Sequence, residues 1–199
     1  MAGGAPPFIG LTGGMGAGKS EALAALGRLG AATLSTDAVV HELLESDEVR
    51  DELVARFGDQ VAPGGRIDRN VVATRVFQQA DERKWLEGVL WPRVGERVNS
   101  WRTQMSASEP PPRALVVEVP LLFEAGMDGV FDHTIAVVAD QGAIAERTAD
   151  RGHAGVDSRA NRQLSQQEKA ERAEYVVQND GSLGELEATL SGLLENIGV

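Results

Sequence analysis

Apolar runs alternate with helical patterns towards both ends of this chain. Five short apolar runs have the character of buried parallel strands, and they cover residues 8–11, 30–34, 114–119, 134–138 and 175–177. Helical patterns begin at Glu21 and cover residues 141–149 and 183–194, the last with leucines at helical spacing. Strands that alternate with helices are typical of βαβ units. We therefore predict an α/β fold in which helices cover a parallel sheet.

Two segments depart from this alternation. Residues 49–106 carry apolar positions at helical spacing without a convincing strand, which predicts a helical insertion, and the proline-rich residues 106–113 then form a loop. Residues 147–172 are a second helical insertion with five arginines. That segment is either a solvated helix face or an arginine-bearing lid that excludes water from a reacting phosphoryl group. The core of a single domain would then comprise about residues 8–48, 114–146 and 173–199.

The composition limits the classes of function. The 199 residues are 42% hydrophobic and 25% charged, which fits one domain with subdomains. No apolar stretch approaches the roughly 18 residues that span a bilayer, and the first seven residues do not resemble a signal peptide. We therefore expect a cytoplasmic protein that does not bind membranes. The absence of cysteine excludes disulfides and thiolate chemistry, and the three histidines lack the spacing of metal ligands. A net charge of −11 argues against nucleic-acid binding.

The strongest local signal is a phosphate-binding pattern. Residues 13–20 read Gly-Gly-Met-Gly-Ala-Gly-Lys-Ser and match G-x-x-x-x-G-K-[ST] between a predicted strand and a predicted helix. Glycines let backbone N–H groups surround an anion, and the helix N-terminus adds partial positive charge. Lys19 would reach the β- and γ-phosphates, and Ser20 would hold Mg²⁺. The predicted ATP-binding residues are Gly13, Gly14, Met15, Gly16, Ala17, Gly18, Lys19, Ser20 and Glu21.

Two carboxylates are candidates for the chemistry beside this loop. The chain lacks the D-x-x-G and N-K-x-D patterns of GTPases, whereas a kinase commonly has an Asp after its second strand. Asp37 lies there, either as the group that orients or deprotonates an acceptor hydroxyl or as a helix N-cap. Glu118 lies near the end of the third strand. It either serves Mg²⁺, directly or through water, or simply reaches solvent at the strand end.

Two motifs resemble the dephospho-CoA kinase family. They are residues 9–20, Ile-Gly-Leu-Thr-Gly-Gly-Met-Gly-Ala-Gly-Lys-Ser, and residues 120–124, Pro-Leu-Leu-Phe-Glu. Supporting matches occur at residues 67–69, 76–77, 163, 168–169, 173–177 and 179–181, so the likeness runs nearly end to end. The resemblance implies a P-loop NTPase three-layer fold with a helical CoA-binding insertion and a helical lid. It also implies ATP-dependent phosphorylation of the ribose 3′-hydroxyl of dephospho-CoA, the last step of coenzyme A biosynthesis.

The resemblance also implies roles for individual residues. Lys19, Asp37 and Arg147 would be catalytic, with Asp37 as general base and Arg147 as a lid arginine on the ATP phosphates. Mg²⁺ is the expected cofactor; the phosphate-binding pattern assigns it to Ser20, and the place of Glu118 in an apolar strand makes that carboxylate a candidate to hold it through water. The candidates for substrate contacts are Asp37, His41, Arg69, Glu118, Pro120, Leu121 and Leu122.

Some positions depart from the family pattern, and two other functions compete. Ser35 stands where the family usually has Asp, and His41 where Arg is common; Glu21, Trp91 and Gly152 differ as well. One rival is another small-molecule or nucleoside monophosphate kinase, against which residues 120–124 argue. The other is a regulatory module that binds ATP without transferring phosphate. The presence of Asp37 together with Lys19 and Ser20 argues against that module, because a pure binder needs no carboxylate on the acceptor side.

Overall fold

The computed structural model describes residues 5–149 and 163–199, and its centre is one parallel sheet of five strands. The strands are β1 (Phe8–Gly13), β2 (Ala32–Ser35), β3 (Leu115–Glu118), β4 (His133–Val138) and β5 (Tyr175–Gln178), in the spatial order β2-β3-β1-β4-β5. The predicted parallel sheet is therefore confirmed. β2 begins two residues later than predicted, because Gly30 has a φ of 94° and belongs to the turn that ends the preceding helix.

Eight α-helices lie in the described part of the chain. They are α1 (Lys19–Arg28), α2 (Thr36–Glu45), α3 (Asp47–Phe57), α4 (Arg69–Gln78), α5 (Ala80–Ser106), α6 (Gln141–Ala149), α7 (Gln166–Arg172) and α8 (Leu183–Ile197). The predicted helix over residues 141–149 is confirmed, and α8 continues three residues beyond its predicted end. Of these helices, none combines the length and apolar character needed to cross a membrane.

The chain divides into two compact units. The first comprises the described residues of Met1–Ser35 and Trp101–Val199, and the second comprises Thr36–Ser100. The first unit contains the whole sheet with α1, α6, α7 and α8, whereas α2, α3 and α4 belong to the second. Helix α2, which the sequence analysis grouped with the core, thus lies in the helical unit.

One face of the sheet packs against α1 and α8. Because side chains alternate along a strand, Ile9 and Leu11 of β1 point to this face, together with Ile135 and Val137 of β4. Helix α8 contributes a buried stripe at helical spacing, namely Leu186, Leu190, Leu193 and Leu194. Burial of such side chains contributes about 1.5–3 kcal/mol each and holds the helix against the sheet.

The opposite face is covered by other parts of the first unit. The ring of Phe8 lies 4.7 Å from that of Phe131, and the Arg102 guanidinium lies 4.3 Å from the Phe8 ring centroid. On the same face, Lys169 of α7 contacts Thr12. The sheet therefore has covering elements on both faces. Since all five strands are parallel, their carboxyl ends lie on the same side of the sheet. In open α/β sheets, ligands bind in the crevice outside these carboxyl ends.

Candidate active site

The phosphate-binding pattern forms a loop between the central strand and α1. β1 ends at Gly13, and α1 begins at Lys19 after Gly18, which has a left-handed φ of 93°. The ammonium of Lys19 donates hydrogen bonds to the carbonyl oxygens of Gly13 (3.2 Å) and Gly14 (2.9 Å). The predicted order of strand, loop and helix is confirmed. The first N–H groups of α1 and the Lys19 charge suit this loop to an anionic ligand.

Two glycines of the loop lie against neighbouring chain segments. A β-carbon on Gly13 would be 2.3 Å from the Val137 carbonyl oxygen in β4, and one on Gly14 would be 2.3 Å from Cγ of Gln166 in α7. Such distances are well below van der Waals contact. Glycine is thus required at position 13 by the β4 backbone, whereas a larger residue at position 14 would have to displace the Gln166 side chain.

Buried polar contacts also tie the loop to the ends of β4 and β5. Asn179, which is 4% exposed, donates from Nδ2 to the carbonyl oxygen of Ala17 at 2.9 Å. Its own backbone N–H donates to the Val138 carbonyl at 2.8 Å. The Gln166 amide accepts from Ala139 N (2.9 Å) and donates to Ala139 O (3.1 Å). Three strand ends and α7 therefore surround the loop.

Two oxygen donors near the strand ends suit a magnesium ion. Glu118 is the last residue of β3, pairs in register with Leu11 of β1, and is only 7% exposed. Of the two alternatives for Glu118, the one in which it reaches solvent is therefore wrong. Ser20 lies exposed in the first turn of α1. Mg²⁺ prefers oxygen ligands and retains waters and substrate phosphates, so a hydroxyl and one carboxylate fit it. In the described ranges, no three acidic or histidine side chains gather into an all-protein metal site.

The segment after β3 divides into core and surface positions. Leu122 is fully buried and lies so close to Gly10 that a β-carbon there would be 2.6 Å from its Cδ1. Leu122 is therefore a core residue, and in this conformation its side chain has no surface for a substrate. Pro120 and Leu121 are half-buried and remain candidates for substrate contact.

Asp37 and His41 belong to the second unit. α2 begins at Thr36, so Asp37 lies in the first helical turn rather than at the capping position that the sequence allowed. A carboxylate there is favoured by the helix dipole. His41 is exposed one turn later, at the i+4 position on the same side of α2. The two side chains therefore lie along one face of the helix.

Arg69 lies beside a cavity within the second unit. The cavity has a volume of about 360 Å³, and its lining includes Arg50, Arg66 and Arg69. Arg69 is exposed and pairs with Glu45 at 3.0 Å, while Arg50 pairs with Asp47 at 2.5 Å. An anionic ligand in this cavity would have to compete with those carboxylates.

Arg147 is a residue of α6, but its side chain is outside the described part of the structure. Residues 150–162, which include Gly152 and three arginines of the predicted lid, lie wholly outside that part. The described end of that segment is α7, which packs on the sheet through Lys169, a fully buried residue. Sequence reasoning gave Lys169 and Gln166 no site role, because burial of a lysine or glutamine on a short polar helix has no local signature.

Three comparisons show what this chain resembles. The sequence model of the family described as dephospho-CoA kinase matches residues 7–185. The dephospho-CoA kinase of Protochlamydia amoebophila (strain UWE25) is 37% identical over 194 residues, which are 95% of each chain. That of Thermobifida fusca (strain YX) is 34% identical, again over 95% of each chain. The crystal structure of TT1252 from Thermus thermophilus has a TM-score of 0.80 at 30% identity and covers 98% of this chain and 100% of its own.

A more distant structure bears on the fold alone. The dephospho-CoA kinase from Campylobacter jejuni has a TM-score of 0.65 at 20% identity and covers 98% of each chain. The similarity of the two structures, together with the parallel sheet and the loop between β1 and α1, confirms the predicted P-loop α/β fold.

Proposed function

Because this chain belongs to the dephospho-CoA kinase family, we propose that it transfers the γ-phosphoryl group of ATP to the ribose 3′-hydroxyl of dephospho-CoA, giving CoA and ADP. The observation that carries the chemistry is the loop between β1 and α1, with the Lys19 ammonium at the Gly13 and Gly14 carbonyls. A cation in that position is available to phosphate oxygens. The family membership supplies the acceptor.

The donor side of the reaction follows from the loop. The backbone N–H groups of residues 13–20 and the N-terminus of α1 bind the ATP phosphates. Lys19 exchanges its loop carbonyls for phosphate oxygens and offsets the charge that spreads over the transferring group. This contribution is largest in the transition state, where electrostatic stabilisation by preorganised groups acts.

Magnesium is the proposed cofactor. The hydroxyl of Ser20 would hold the ion directly, and Glu118 would hold it through water. When bound with ATP, Mg²⁺ would neutralise phosphate charge.

On the acceptor side, we propose that Asp37 orients the 3′-hydroxyl and accepts its proton. His41, Arg69, Pro120 and Leu121 are proposed to contact dephospho-CoA, and the helical unit that holds Arg69 would be the CoA-binding part. Arg147 is proposed to contact the ATP phosphates during transfer and to offset their charge, as the resemblance implies.

A coupled assay of ADP release tests the proposal directly. Dephospho-CoA is offered beside AMP, adenosine and shikimate, and ¹H and ³¹P NMR spectroscopy of the product identifies the phosphorylated position. We expect rapid turnover with dephospho-CoA alone and a product that carries the 3′-phosphate. Faster turnover of AMP or shikimate would identify another small-molecule kinase, and nucleotide binding without any turnover would identify a regulatory module.

A further inference from the structure

Lys169 is a buried cation that the proposed reaction does not use. Its side chain has no exposed surface, although it lies on α7, a short helix of mainly polar residues. Nζ donates to Pro120 O at 2.6 Å and to Thr12 Oγ1 at 3.3 Å, and it pairs with Glu124 Oε1 at 3.0 Å. An ammonium has three N–H donors, so these three acceptors satisfy it. A buried charge is tolerated only with such partners.

The partners of Lys169 come from two strand ends. Thr12 immediately precedes Gly13, the first residue of the phosphate loop, and is fully buried. Pro120 follows the end of β3, and Glu124 follows four residues later. Glu124 Oε1 also accepts from the backbone N–H of Leu164 at 2.8 Å. One ammonium thus joins the end of β1 to the segment after β3.

Gln166 makes a second set of contacts one turn earlier on α7. Its amide both accepts from and donates to the backbone of Ala139, directly after β4. The same side chain occupies the space beside Gly14, as the 2.3 Å approach of Cγ to an ideal β-carbon there shows. Gln166 therefore joins the loop to the end of β4, and Lys169 joins Thr12 to the segment after β3.

We infer that Gln166 and Lys169 are positioning residues that hold the phosphate loop in place from α7. The carbonyl oxygens of Gly13 and Gly14, which bind Lys19 in this structure, belong to the residues that follow Thr12 and contact Gln166. Fixing these residues fixes both the loop amides and the position of Lys19. A site whose donors are held in advance needs no reorganisation at the moment of transfer. The inference rests on the proposed function only in taking ATP as the ligand of the loop.

Gln166→Ala is the primary test, and Gln167→Ala is its matched control. Both glutamines lie on α7, but Gln167 is exposed and donates a hydrogen bond to Glu171 Oε1 at 3.2 Å. Lys169→Met removes the ammonium and keeps much of the side-chain length. Leu193→Ala, on α8, controls for general loss of stability, because it leaves a cavity in the core on the face of the sheet that α1 and α8 cover. For each variant, calorimetry gives the ADP dissociation constant, thermal unfolding gives Tm, and the coupled assay gives kcat for the folded protein.

We expect Gln166→Ala and Lys169→Met to weaken ADP binding and to lower kcat by about 10- to 100-fold, the scale of a small misplacement of reacting groups. Gln167→Ala and Leu193→Ala should keep wild-type ADP binding and kcat. If Lys169→Met does not fold, Gln166→Ala alone decides. Normal ADP affinity and kcat in Gln166→Ala, or losses matched by Leu193→Ala, would overturn the inference. The ADP dissociation constant also tests this inference independently of the proposed acceptor, since it does not depend on which hydroxyl compound is phosphorylated.

Discussion

Gly13 and Val137 are partners in the parallel pairing of β1 and β4, and a β-carbon on Gly13 would lie 2.3 Å from the Val137 carbonyl oxygen. Gly13→Ala should therefore displace the start of the phosphate loop. We expect a loss of about 1–3 kcal/mol in the free energy of unfolding, the usual cost of overpacking, and at least a tenfold fall in kcat. Chemical unfolding and the coupled assay measure the two effects.

Gly192→Ala is the matched control for this substitution. Gly192 lies inside α8, and nothing lies within 4 Å of the β-carbon that alanine would add. Alanine there should raise the free energy of unfolding by up to about 1 kcal/mol, because glycine is a poor helix former. Its kcat should be unchanged. Similar kcat values for the two variants would contradict the close approach of Val137 as a constraint on the loop.

Lys19→Ala should lower kcat by about 10²–10³, the loss that follows removal of one preorganised donor from a site of developing charge. ATP affinity should fall as well, because the same ammonium contacts the ground-state phosphates. Lys84→Ala, which removes an exposed lysine of α5, is the control and should behave as wild type. A Lys19→Ala protein that kept more than about a tenth of wild-type turnover would refute the assignment of the loop.

Asp37→Asn separates a structural from a catalytic carboxylate. Asp37 lies in the first turn of α2, where loss of its charge should cost only about 0.3–1 kcal/mol through the helix dipole. If Asp37 accepts the proton of the 3′-hydroxyl, kcat should fall by about 10²–10⁴ while Tm changes little. Asp47→Asn, in the first turn of α3, provides the same charge change at another helix start. Near-normal kcat in Asp37→Asn would leave the acceptor-activating group to be found elsewhere.

Arg147→Ala should lower kcat more than it weakens ATP binding to the resting enzyme. The reason is that an arginine that acts during transfer contributes chiefly to the transition state. Calorimetry with ATP and steady-state kinetics separate these terms. Arg28→Ala is a suitable control, because Arg28 pairs with Glu187 on the surface at 2.8 Å and has no proposed role. Loss of ATP affinity with unchanged kcat would remove Arg147 from the transfer step.

Stability at acidic pH should depend on the capping box at the start of α8. Hydrogen bonds from the backbone N–H and the hydroxyl of Ser182 lower the pKa of Glu185 from its usual 4.5. A lowered pKa means that the stabilisation is complete above about 4.5 and is lost as the pH falls through the lower value of the folded state. Glu168 in α7 has a lowered pKa for the same reason, chiefly the Ser165 hydroxyl.

Thermal unfolding of Glu185→Gln across this pH range tests the effect. Glutamine keeps the geometry of the capping box but does not titrate. The Tm of the wild type should exceed that of Glu185→Gln near neutral pH, and the difference should shrink as the pH falls below about 4.5. Glu195→Gln, near the other end of α8, shows the effect of removing a charge outside the box. A difference that stayed constant with pH would mean that the carboxylate charge contributes nothing to the cap.

Local patterns in the sequence determined much of the first unit. The loop of residues 13–20 is recognisable because its glycines, Lys19 and Ser20 are consecutive, and the predicted helix over residues 141–149 agrees with α6. In α8 the leucines repeat at the helical period, so the buried face could be predicted without knowing what covers it. Patterns of this kind depend on residues only a few positions apart.

The tertiary structure alone decided which distant residues meet. From the sequence alone, Glu118 could either reach solvent or serve a magnesium ion. Its place at the carboxyl end of β3 leaves it only 7% exposed. The sequence made Leu122 a candidate for substrate contact, but its side chain is fully buried against Gly10 of the central strand. Lys169 and Gln166 carry no local sign of burial, because their partners lie about 30 to 160 positions away in the chain. Such contacts depend on the strand order and on which helix covers each face, and these arise from long-range packing rather than from local periodicity.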